Sequence, residues 1–221
     1  MARKTLLVAF SYVLLTLLVP AAQRGGSRPL DLPSGGRGTD EDEEDPNETI
    51  RFFGESYEGD GFFFLLDRSG SMSGMKLEIL KLEMTSALSE LSEQSEFGIV
   101  AFSGDTTAFS PMPVKASDRN SSLGKAWVLA LAPYGSTMML AGAEAILEIA
   151  YTSSKDDRSI IVVGDGSPNS PGPAETLEGI IAANVEGLPF HTILIGASSE
   201  AADFMMALSS VTGGTFRHPT F

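Results

Sequence analysis

Asp67, Ser69 and Ser71 occupy alternate positions in Asp67-Arg68-Ser69-Gly70-Ser71-Met72-Ser73-Gly74, directly after an apolar run. On a turn leaving a strand end, that alternation lets one carboxylate and two hydroxyls converge on a common point. Hard oxygen donors of this kind suit Mg²⁺ or Mn²⁺ and not softer metals. Three oxygens are too few for an octahedral ion, so more must come from other loops. Asp165 is one candidate, standing in Gly164-Asp165-Gly166 where the glycines let backbone approach closely. Thr137, at the end of Tyr134-Gly135-Ser136-Thr137, is the other. The plainer reading makes Thr137 a helix N-cap and the remaining acids and serines turn formers. Capping and ligation are not exclusive.

These residues need a scaffold that brings loops together, and the periodicity supplies one. Phe62 to Leu66 is a short unbroken apolar run, as expected for a strand buried on both faces of a parallel sheet. Leu77, Leu80, Met84, Leu88 and Leu91 recur at helical spacing. Further strands are expected at Phe97 to Phe102, Thr106 to Phe109 (a short edge strand), Ile160 to Val163, Thr192 to Ile195 and Thr215 to Arg217. Helices are expected at Ser121 to Leu131, Thr137 to Tyr151, Thr176 to Asn184 and Glu200 to Val211. Such alternation predicts an α/β fold: a Rossmann-like open, mostly parallel central sheet with one short antiparallel edge strand and helices on both faces. Ligands in such sheets bind outside the C-terminal strand ends. The loops after Leu66, Phe102, Val163 and Ile195 therefore converge on one place.

The ordered set Asp67-x-Ser69-x-Ser71, Thr137 and Asp165, each in its strand or loop context, resembles the von Willebrand factor A domain with its metal-ion-dependent adhesion site. The resemblance covers about residues 61–221. It implies that Ser69 and Ser71 ligate a divalent ion directly and Thr137 directly or through water, with Asp67 and Asp165 acting mainly through bound waters. One coordination position is then left for a carboxylate from a partner protein. Neutral hydroxyls around the ion would keep it electrophilic toward an incoming Asp or Glu, while the two acids behind them orient waters. Two positions depart from the usual pattern. Gly164 stands where a hydroxyl residue is common, and the threonine loop reads Gly-Ser-Thr where Gly-Gly-Thr is frequent.

Rival chemistries fit less well. An EF-hand loop starting at Asp67 would need glycine where Met72 stands, and a helix instead of a strand before it. An aspartyl phosphotransfer site would carry a second acid where Ser69 stands. Serine hydrolysis needs a general base, yet His191 lies inside a strand pattern and His218 near the last residues. The expected function is a non-enzymatic adhesion or assembly module that captures an acidic side chain through Mg²⁺ or Mn²⁺. The alternative is a metal-dependent hydrolase or phosphatase using the same ion as a Lewis acid.

Composition narrows the setting. With 15 Lys plus Arg against 29 Asp plus Glu, the formal charge of −14 disfavours nucleic acid as a partner. No cysteine excludes disulfides, thiolate metal sites and cysteine nucleophiles. Residues 1–22 carry Arg3 and Lys4, an apolar stretch from Leu6 to Val19 and a small-residue exit. That is the pattern of a signal peptide, or of a signal anchor if uncleaved, and it predicts a secreted or otherwise extracytoplasmic protein. Residues 23–48 read as a disordered linker, Gly/Pro/Arg-rich and then acidic from Asp40 to Asp45. Residues 49–60 form a lead-in, and 61–221 the folded domain. Asn47 and Asn120 match the glycosylation acceptor pattern.

Overall fold

The computed structural model describes residues 48–220. The expected signal segment, the linker up to residue 47 and the Asn47 acceptor lie outside the described residues. In chain order come β1 (Glu48–Phe52), β2 (Glu55–Gly59), β3 (Gly61–Asp67), α1 (Met75–Glu90), β4 (Glu96–Phe102), β5 (Thr106–Ala108) and β6 (Val114–Lys115). They are followed by α2 (Asp118–Leu129), α3 (Met139–Tyr151), β7 (Arg158–Gly164), α4 (Pro173–Ala183), β8 (Phe190–Leu194), α5 (Ser199–Thr212) and β9 (Phe216–Arg217).

The run Gly61–Asp67 is buried throughout and forms an inner strand of the main sheet. Its side chains alternate between two cores: Phe62, Phe64 and Leu66 point to one, Phe63 and Leu65 to the other. That division is why the run is apolar at every position. β4 and β7 flank β3 in parallel, with Leu66 opposite both Ala101 and Val163. β8 and β9 continue the parallel side, while β5 and β6 both pair antiparallel with β4, near its end and its start. The order β5-β4-β3-β7-β8-β9 reverses direction between β3 and β7. This is the expected open, mostly parallel α/β sheet, with a second antiparallel pairing at β6 that the two-residue length of that strand concealed.

One core is closed by α1 and by Val128 of α2, the other by α3, α4 and α5. The helices form for local reasons as well. The Ser117 hydroxyl accepts from the Asn120 amide at the start of α2, and Ser198 does the same from Ala201 for α5. Asn120, in the first turn of α2, also donates its side-chain amide to the Lys115 carbonyl.

The lead-in segment has more structure than its sequence announced. β1 and β2 pair antiparallel as a hairpin whose two-residue turn, Phe53-Gly54, has φ of 51° and 79°. Positive φ at both positions is the turn geometry whose twist matches paired strands. The hairpin lies on α1, with the Phe53 amide donating to Glu83 (2.7 Å) and the Arg51 amide to Glu90 (2.6 Å). Ile50, Phe52, Phe53 and Tyr57 enter the same core as Phe64 and Ile193. Tyr57 stacks edge-on against His191, and Glu55 pairs with Arg217 at 2.8 Å. The hairpin thus completes the cover on the face that α1 and α2 leave partly open.

Candidate metal centre

The direction reversal between β3 and β7 leaves a crevice where their C-terminal ends part. Asp67 is the last residue of β3, and Asp165 follows the last residue of β7. Both sit at the crevice because the strands run in register, Leu66 beside Val163.

Within the first loop the Ser69 amide donates to Asp67 Oδ1 at 2.7 Å, a local turn that aims the serines back over the strand end. Ser69 Oγ and Ser71 Oγ lie 3.0 Å apart. The Ser71 hydroxyl donates to Asp165 Oδ1 at 2.8 Å, joining two loops 94 residues apart in sequence. Thr137 belongs to the same place: a Cβ at Gly166 would lie 3.8 Å from Thr137 Oγ1 and 4.0 Å from Ser71 Oγ. Thr137 is not the N-cap of α3. That position falls to Met138, which makes no side-chain cap, and the helix starts two residues later than the periodicity suggested. All five sequence-derived residues are therefore placed around one end of the sheet.

The loops are stitched to one another through the backbone. Arg68 N donates to Phe102 O, Tyr134 N to Arg68 O, Gly70 N to Gly135 O and Met138 N to Ser103 O. Asn169 holds Thr137 from both sides, accepting from its amide at 3.2 Å and donating to its carbonyl at 3.1 Å. Arg68 lies over the Tyr134 ring and pairs with Asp105, which also accepts from Ser103 Oγ. Desolvation raises the Asp105 carboxyl, but the Ser103 hydroxyl, the Arg68 guanidinium and the Tyr134 side chain together outweigh it and hold the group below its usual range. Gly135, with φ of 75°, packs close to the Gly104 backbone, where a Cβ would lie 3.1 Å from Gly104 N.

Electrostatically the site is two buried acids with one cation. Asp67 is fully buried and its Oδ2 has no hydrogen-bond partner. Burial pushes its pKa up to about 6, against the pull of the Ser69 amide and hydroxyl, and the Asp165 charge adds to the rise. A Cβ at Gly164 would come within 3.0 Å of that same Oδ2, so the glycine faces the carboxylate and offers it no hydroxyl. The Asp165 side chain is 1% exposed and is paired by Lys76, whose ammonium also donates to the Ser71 carbonyl at 3.1 Å.

Lys76, Asn169 and the Arg68–Asp105–Tyr134 set escaped the sequence reading. Lys76 had one signal: a lysine in the first turn of a helix opposes the helix dipole unless an acid compensates it. The donor chemistry, three hydroxyls and two carboxylates, suits a small hard dication. Among the described residues no group of three or more His, Asp or Glu is placed to hold a metal, so any such ion would depend on the hydroxyls.

An open α/β sheet covered by helices on both faces, with its strand order reversing between β3 and β7, defines a domain of the Rossmann-like class. Within that class the chain belongs to the von Willebrand factor type A domain family, whose profile matches residues 62–218. A von Willebrand factor type A structure from Catenulispora acidiphila superposes with a TM-score of 0.63 at 20% identity, covering 75% of this chain and 40% of that one. The vWF domain of the type V pili tip protein Mfa5 from Porphyromonas gingivalis gives 0.58 at 12% identity, covering 77% and 90%. Among curated proteins, human inter-alpha-trypsin inhibitor heavy chain H4 is 27% identical over 112 residues, 48% of this chain and 12% of that protein. The chain thus spans about an eighth of the curated relatives it matches. Among the described residues no helix is long and apolar enough to cross a membrane.

Proposed function

We propose that this protein is an extracytoplasmic protein-binding module, of the adhesion or assembly kind, that captures a partner's Asp or Glu side chain through Mg²⁺ or Mn²⁺. Asp67, Ser69, Ser71, Thr137 and Asp165 would hold the ion. The observation that carries this reading is the bond from Ser71 Oγ to Asp165 Oδ1, which joins the β3 and β7 loops beside a buried Asp67 oxygen without a partner. A bound dication would supply a concentrated positive charge with a coordination position for a carboxylate. The chain's own residues do the rest: Ser69 and Ser71 present neutral oxygens, Asp67 and Asp165 balance charge from behind, and Asn169 fixes Thr137.

Binding is favoured over serine hydrolysis by where the imidazoles lie. His191 Nδ1 is engaged with Thr215 Oγ1 at 2.9 Å, and His218 Nε2 with the Gly196 carbonyl. Neither makes a hydrogen bond with Ser69 or Ser71. A pili tip protein among the similar structures fits a surface-assembly role for this chain.

The test is capture of extracytoplasmic proteins from the source with Mg²⁺ or with EDTA, using Ser69→Ala/Ser71→Ala as control. Capture should vanish with EDTA and with the double variant, while circular dichroism shows both still folded. Capture that survives metal removal overturns the reading.

A further inference from the structure

Lys76 projects from the first turn of α1 into the candidate centre. Its ammonium donates to Asp165 Oδ2 and to the Ser71 carbonyl, and its stem runs beside Gly196. A Cβ at Gly196 would lie 3.7 Å from Lys76 Cε and from Asp165 Cβ, so that glycine gives the lysine its path. Asp165 is 1% exposed at its side chain, Lys76 38%. A buried carboxylate needs a charge partner, and Lys76 is the cation that this structure pairs with it. The second acid, Asp67, is close enough to interact with Asp165.

We infer that Lys76 is a tethered competitor of the divalent ion: it neutralises Asp165 in the metal-free protein and sets how much dication is needed to load the site. The inference rests on the metal reading above. Loading the site exchanges one cation for another on the same carboxylate, because an ammonium and a dication repel at contact distance. The lysine can leave because it is tethered only at its stem and half-open to solvent. Its position is then regulatory, since the exchange lowers apparent divalent affinity without adding any contact to the ion. It also protects the empty site from the repulsion of two adjacent buried acids.

The experiment is Mg²⁺ binding by calorimetry at fixed ionic strength, with thermal melting in EDTA, on the wild type and Lys76→Met. Lys76→Arg tests rescue, and Lys115→Met is a charge-matched control on exposed β6, at the opposite end of the sheet. Lys76→Met should bind Mg²⁺ about tenfold more tightly, in the range of ordinary coupling between linked sites, and melt lower in EDTA. Lys76→Arg should stay near the wild type in both readouts, and Lys115→Met should leave Mg²⁺ affinity unchanged. Wild-type affinity or weaker in Lys76→Met overturns the competitor role and leaves the metal site standing. An equal gain in Lys115→Met reduces the effect to net charge and also overturns it. If neither the wild type nor Lys76→Met takes up Mg²⁺, the metal reading itself falls, and this inference with it.

Discussion

Asp67 ends an inner strand with one oxygen on the Ser69 amide and the other without a hydrogen-bond partner. Desolvation raises its pKa from 3.8 to about 6, with Ser69 opposing the rise and Asp165 adding to it. The sign follows from linkage: a carboxyl whose folded pKa is raised favours the folded state below pH 4, and that advantage is lost as pH rises through 6. At pH 7 the ionised form of this buried acid therefore costs about 3 kcal/mol relative to low pH. In EDTA, the urea midpoint of the wild type should rise between pH 7 and pH 5, and Asp67→Asn should flatten that rise. Asp67→Asn should also be more stable than the wild type in EDTA at pH 7, by about 1–2 kcal/mol. An unchanged pH slope in Asp67→Asn would assign the effect to another group. At this scale the alternation Asp67-x-Ser69-x-Ser71 was legible because it is local. Lys76 and Asn169 were not, since their partners Asp165 and Thr137 are 89 and 32 residues away and meet them only once strand order is set.

At the scale of elements, the strands buried on both faces and the amphipathic helices follow from periodicity within three residues, the starts of α2 and α4 falling furthest from expectation. The β1–β2 hairpin does not, and the reasons are physical. Its strands are five residues each, and although buried and exposed positions alternate, each strand turns only two residues inward, too few for a readable period. Its turn uses Phe53 at positive φ where Asn or Gly would be the readable signal. The burial of Phe53 beside Phe52, with ring centroids 4.8 Å apart, explains why a large residue is kept there. Phe52 also meets Phe64 edge-to-face at 5.5 Å. Phe52→Ala should therefore cost about 3–5 kcal/mol in chemical denaturation, the usual range for a buried aromatic. A chain beginning at Gly61 should melt well below one beginning at Glu48, because α1 would then expose Leu80 and Met84 and lose the hydrogen bonds that Glu83 and Glu90 accept from the hairpin amides. Equal melting temperatures for the two chains would show that the hairpin is an ornament on an already complete core.

Across the whole molecule, charge acts in two opposite directions on the proposed function. Of the net −14, residues 61–221 contribute −9, from 9 basic and 18 acidic residues. Such a surface draws a dication toward the crevice and repels a partner that presents carboxylates. The two effects belong to different steps and have different signs in salt. Screening shortens the Debye length from about 30 Å at 0.01 M to about 10 Å at 0.1 M and weakens both long-range terms. Mg²⁺ affinity measured by calorimetry should therefore fall several-fold as NaCl rises over that range. At saturating Mg²⁺, the association rate of a glutamate-rich peptide measured by surface plasmon resonance should rise over the same range. The short-range contact at a metal is less screened than the approach, so the dissociation rate should change less than the association rate. An association rate that instead falls with salt would mean that a local cationic surface, and not the acidic whole, governs the encounter. That outcome would move attention to Lys76 and Arg68, the basic side chains that the β3 loop and α1 bring to the crevice.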